Sequence, residues 1–80
     1  MNLLLAARSE TDAYAALYLT ERALGLDPTF AWGRYSRAHA LSVLGKMEDA
    51  KAEVERAIRI DPGLLPAWRL LAWLRSRAGE

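Results

Sequence analysis

The sequence predicts an all-α fold, an open α-solenoid in which about two and a half helical hairpins stack within 80 residues. Two observations carry that prediction. Alanine, leucine and arginine dominate the chain, nine of its eleven basic residues being arginine, and all three are strong helix formers. The chain also repeats itself, since Asp27-Pro28 recurs as Asp61-Pro62. The same shift superposes Ala6 on Ala40, Ala16 on Ala50, Glu21 on Glu55, Arg22 on Arg56, Ala23 on Ala57, Ala38 on Ala72, Ser42 on Ser76 and Gly45 on Gly79. Ten identities in all are roughly twice what this composition would produce by chance, so the period is structural.

Each copy reads as two helices. A short stub over 2–8 comes first, followed by a helix over 12–26 with Thr11 or Asp12 as its cap. Thr29 is placed to cap the next helix, over 30–44, and Gly45 to end it in a left-handed turn. The helix over 47–60 shows the clearest periodicity. Ala50, Val54, Ala57 and Ile58 fall on one face, while Lys51, Glu55 and Arg59 line another as successive i,i+4 pairs. Pro62 stops it, because proline lacks the amide proton and pushes the preceding residue out of helical geometry. Pro66 suits the first turn of a last helix over 65–78, with Gly79 at its end. The chain is thus read as one domain over 1–80: a partial repeat (1–30), a complete repeat (31–64) and a half repeat (65–80).

Composition narrows the chemistry. Eleven basic against ten acidic residues give a formal charge of +1, far from the basic excess of a dedicated nucleic-acid binder. Cysteine is absent, which removes disulfides, thiolate metal sites and a cysteine nucleophile. The apolar run Met1–Ala7 is shorter than a signal-peptide core and no run reaches membrane-spanning length, so the chain is read as cytoplasmic, without a membrane partner. His39 is the single histidine; alone it makes neither a metal site nor a convincing general base. Gly25, Gly33 and Gly45 are isolated rather than clustered into a phosphate loop. No catalytic, cofactor or metal residues are assigned, and a non-enzymatic role is expected.

The spacing of Ala50, Val54, Ala57 and Pro62, with Ala16, Ala23 and Pro28 in the preceding copy, resembles that of the tetratricopeptide repeat family, whose unit of about 34 residues has the same period. Trp68, Leu71 and Ala72 match the family's opening pattern in the last helix. Three departures stand out: Thr20 replaces a large apolar residue, Arg75 a tyrosine, and Arg34 and Arg37 the usual tryptophan and leucine. The packing register of the middle helix is therefore left open. The resemblance implies a right-handed α-solenoid whose concave groove, lined by the first helix of each unit, binds other proteins.

In that register the groove residues are Trp32, Tyr35, His39 and Val43, with Arg69, Trp73 and Arg77 from the last helix and Leu5 and Arg8 from the stub. Independently of any family, each set is spaced by three or four residues and forms one helical stripe. Aromatic platforms beside arginine forks suit a peptide or helix that carries carboxylates and an apolar anchor. The same aromatic stripe also fits the plainer role of filling space between helices, and the arginines that of a solvated face. The alternative reading is an RNA- or nucleic-acid-binding helical repeat that stacks bases on Trp32 and Trp73. Finally, Leu3–Leu5 at one end, and Leu64, Leu65, Trp68, Leu70, Leu71, Trp73 and Leu74 at the other, exceed what one hairpin is expected to cover, which points either to self-association or partner docking through the ends, the reading favoured here, or to a piece of a longer array whose neighbouring repeats cover them.

Overall fold

The computed structural model describes residues 9–79, which form four α-helices and no strand: α1 (Glu10–Leu26), α2 (Ala31–Val43), α3 (Met47–Ile60) and α4 (Leu65–Arg77). The expected stub over 2–8, with Leu5 and Arg8, and the apolar run Leu3–Leu5 lie outside the described residues.

Two helix starts differ from the sequence reading, each for a local reason. Helix α1 begins at Glu10 because Ser9, rather than Thr11 or Asp12, is its cap: the Ser9 hydroxyl accepts from the Asp12 amide at 3.2 Å. Thr29 does not cap α2. Its amide and its hydroxyl both donate to Asp27 Oδ1, at 3.0 and 2.6 Å, and α2 starts at Ala31 with no side-chain cap. Asp61 acts likewise in the following copy, accepting from the Gly63 amide at 3.0 Å. In both copies the aspartate amide donates back to the preceding helix, Asp27 to Ala23 and Asp61 to Ala57, each at 2.9 Å. Proline ends the helix, and the aspartate before it holds the turn shut from both sides.

Gly45 closes α2 as expected, with φ at +79°. Its amide donates to the Ser42 carbonyl at 3.1 Å and that of Lys46 to Leu41 at 2.9 Å, the paired bonds of a Schellman motif. Gly79 repeats the left-handed turn after α4, at φ +80°.

Short connections make each helix pack on the next; α2 also touches α4, whereas α1 touches neither α3 nor α4. The stack is therefore open, with α2 at its centre. Ala38 and Leu41 of α2 meet Ala50, Val54 and Ala57 of α3 and Ala67, Leu70, Leu71 and Leu74 of α4 in the main core. A second cluster joins Ala13 and Ala16 to Ala40. Methyl-sized side chains at these crossings let the helix axes approach closely, so the larger residues beside them are enclosed. Leu70, Leu71 and Leu74 are all buried, each stabilising the stack by about 2 kcal/mol. The apolar surface of α4 is thus covered further than the sequence suggested; Leu65, Trp68 and Trp73 remain exposed.

The departures from the repeat pattern have physical explanations. Thr20 is fully buried, and its hydroxyl donates to the Ala16 carbonyl at 2.8 Å, so it enters the core with its polar group satisfied. Arg34 and Arg37 point at α3, where Glu53 is buried. Arg34 Nη1 lies 3.3 Å from both Glu53 oxygens, Arg56 Nη1 is 2.7 Å from Oε1, and Arg37 Nε is 3.9 Å from Oε2. An ion cluster thus occupies the place where the family pattern has tryptophan and leucine, and it fixes the register of α2 on α3.

Candidate functional site

A concavity lies between α2 and α4. Tyr35, His39, Ser42 and Val43 form one wall and Pro66, Arg69, Leu70 and Trp73 the other, around a volume of about 460 Å³. Spacings of three and four residues place each set on one helix face. Because α2 touches α4 directly, the two faces turn toward a common cleft.

On the α2 wall the rings form a ladder. The Trp32 and Tyr35 centroids are 5.2 Å apart and tilted by 48°, and those of Tyr35 and His39 are 6.5 Å apart, tilted by 42°. Such tilted contacts lock the rings into one arrangement. On the α4 wall Trp73 is 46% exposed, an open apolar surface within reach of a ligand. The Arg77 guanidinium carbon sits 5.3 Å from the Trp73 ring centroid, a cation–π contact that braces the indole from outside the cleft.

Among the described residues, Arg69 is the only fixed charge in the lining, and no carboxylate lines the cleft. Burial pushes the Tyr35 phenol above its ordinary value, and the Arg69 charge acts against that shift. Burial also lowers the pKa of the His39 imidazole, so the ring is held neutral at physiological pH. The Ser42 hydroxyl donates to the His39 carbonyl at 2.6 Å and is committed to the helix. The lining therefore offers an aromatic floor, a neutral imidazole and one exposed guanidinium, a set suited to binding.

Tyr35, His39, Val43, Arg69 and Trp73 of the sequence-selected residues come together in the lining. Trp32 lies against Tyr35 and Arg77 against Trp73; both share the stripes without lining the cleft. Sequence reasoning missed Ser42, Pro66 and Leu70. Pro66 was within reach, since the repeat shift that carries Asp27 to Asp61 also carries Trp32 to Pro66; Leu70 reads as core and Ser42 as a polar residue of the final turn. Among the described residues no group of His, Asp or Glu is arranged to hold a metal ion, and no helix is long and apolar enough to cross a membrane.

Comparison with known proteins agrees with this architecture. The tetratricopeptide repeat profile matches residues 7–74. Two proteins of Arabidopsis thaliana, TPR repeat-containing thioredoxin TTL4 and inactive TPR repeat-containing thioredoxin TTL3, are each 42% identical over 65 residues, which is 81% of this chain. The matched stretch is 10% of the first relative and 9% of the second, so the chain spans about a tenth of the length of these proteins. No solved structure matches.

Proposed function

The chain belongs to the tetratricopeptide repeat family, whose repeats mediate protein–protein interaction, and from that premise we propose that the α2–α4 cleft binds an acidic peptide or helix bearing an apolar anchor. In this reading it acts by binding, without catalysis, in a cytoplasmic setting.

The observation that carries this reading is the pairing of Arg69 with Trp73 and Tyr35 in a lining free of carboxylates among the described residues. A carboxylate on the ligand bonds the Arg69 fork, and an apolar side chain beside it rests on the Trp73 ring, which Arg77 braces. Tyr35 and His39 supply polar edges that fix its orientation. The +1 net charge, with Glu48, Asp49 and Glu55 distributed along α3, favours a peptide over a nucleic-acid strand.

The test is a fluorescence-anisotropy screen of labelled synthetic peptides graded in charge and apolar content, repeated with Arg69→Ala and Trp73→Ala chains. Acidic peptides with a leucine or aromatic residue should bind best, each substitution should weaken them about tenfold, and added salt should weaken the parent more than Arg69→Ala. Binders indifferent to both substitutions, or saturable binding of a labelled RNA alone, would refute the proposal.

A further inference from the structure

Among the residues that line the α2–α4 cleft, His39 is the one whose charge changes between about pH 5 and 8. Its imidazole is partly buried and packs with its centroid 6.5 Å from that of Tyr35, on the wall opposite Arg69. The charged groups that face it are few. On α2 itself, Tyr35 is uncharged at neutral pH, and Arg34 and Arg37 turn instead to Glu53 of α3. From α4 only Arg69 enters the lining, since Arg77 lies against Trp73 outside it. Neither Glu10, Asp12, Glu21 or Arg22 of α1, nor Glu53 or any other charged residue of α3, lines the cleft.

The geometry gives the imidazole two different surroundings. In the empty cleft the imidazolium would lose part of its hydration without gaining a counter-charge, so the neutral ring is favoured. The Arg69 charge, whose field reaches the Tyr35 ring on the same wall, has the wrong sign to help. A carboxylate seated on Arg69 reverses both conditions. It neutralises the guanidinium, and it sets beside the α2 wall the negative charge that the lining lacks. An opposite charge within about 4–6 Å favours the charged form of a titratable group.

We propose that the cleft binds its acidic ligand together with a proton from solvent, which His39 accepts, so that affinity rises as the medium is acidified. This coupling rests on the cleft being the peptide site and adds to it a form of regulation. The sign follows from linkage. The liganded imidazole keeps its proton to a higher pH than the free one, so between those two titrations binding takes up a proton, and lowering the pH tightens the complex. Aspartate carboxylates on the ligand, with an ordinary pKa of about 3.9, stay ionised through this range. The expected gain from about pH 7.5 to about 5.5 is near fivefold, the size that one opposite charge produces across a cleft open to water.

The probe is a labelled peptide of alternating aspartate and leucine, acetylated and amidated so that side-chain carboxylates are its only anions. Its anisotropy titration with the full chain at the two pH values should show the fivefold gain, and in His39→Gln the ratio between the two affinities should fall to about one. An asparagine–leucine peptide should show no gain with either chain. His39 is the single histidine, so its NMR titration is read without ambiguity and should move to higher pH when the aspartate peptide saturates the parent. That measurement uses the parent alone and holds even where His39→Gln loses structure. Aspartate-peptide binding at pH 7.5 that does not tighten at 5.5, a gain that survives His39→Gln, or an imidazole titration unmoved by the peptide overturns the coupling and leaves the cleft reading standing. Absence of binding at both pH values overturns the two together.

Discussion

Replacing Glu53 by glutamine keeps the shape of the side chain and removes the charge that three arginines share. The Glu53 side chain is 8% exposed, against 21% for Arg34, 33% for Arg37 and 54% for Arg56. Removing one partner of a fully buried pair costs about 3–5 kcal/mol because the other charge is stranded. Here the guanidinium groups reach water to different degrees, which lowers that figure. Arg56 is more than half exposed and lies one turn along the same helix, so its share is about 0.3–0.5 kcal/mol. Arg37, 3.9 Å away, adds little. The main loss falls on Arg34, whose Nη1 spans both carboxylate oxygens at 3.3 Å. The expected total is about 2 kcal/mol, which for a domain of this size lowers the melting temperature by roughly 8–16 °C. Urea denaturation followed by tryptophan fluorescence measures it, and added salt near molar concentration should reduce the difference only in part because the carboxylate is buried. A second chain closes the argument: Arg34→Trp, Arg37→Leu and Glu53→Leu together copy the Trp68 and Leu71 pattern and should recover the parent's stability or exceed it. If Glu53→Gln shifts stability by less than about 0.5 kcal/mol, the cluster is not what holds α2 on α3.

Three further outcomes are expected. Gly45→Ala forces a Cβ into the left-handed region at φ +79° and should cost about 1 kcal/mol, read as a melting point lower by roughly 4–8 °C; an unchanged midpoint would mean the turn rearranges freely. His39 should titrate below 6.5 in NMR spectra, because burial disfavours the imidazolium. Its stabilising effect is then present above pH 6.5 and lost as pH falls through the lower folded value, and His39→Gln should remove that part of the pH dependence; a titration at or above 6.5 contradicts the buried placement. Thr29→Val removes the hydroxyl whose bond to Asp27 is the largest cause holding that carboxyl below 3.8, so the Asp27 titration should move back up, and a stationary value would mean the turn does not depend on Thr29.

Much of the fold could be read from spacing alone. Alanine at fixed intervals, glycine at 45 and 79 and proline at 28 and 62 are backbone requirements, and such requirements are local. The helix over 47–60 was legible to the residue because its apolar and charged faces separate cleanly. The starts of α1 and α2 were not, since several residues near each end could serve as a cap and the aspartate turn competes for Thr29. Arg34 and Arg37 looked anomalous because their explanation, Glu53, belongs to the next helix and shows only when α2 and α3 are packed. The cleft residues were found by stripe, yet periodicity does not say which members of a stripe face the opposite wall. That is why Trp32 and Arg77 fell outside the lining while Pro66 and Leu70 fell within it.

Because α1 meets only α2 among the described helices, and α4 rests on α3 with a smaller contact to α2, cooperativity along the chain passes from neighbour to neighbour. Mostly sequential contacts of this kind demand little loop closure, which favours rapid folding. The amides of α2 and α3, flanked on both sides, should be the last to exchange with deuterium, and the outer helices should open first, in fluctuations smaller than global unfolding. A partner that grips α4 would then slow exchange there most, turning a static stack into one whose rigidity is graded by occupancy.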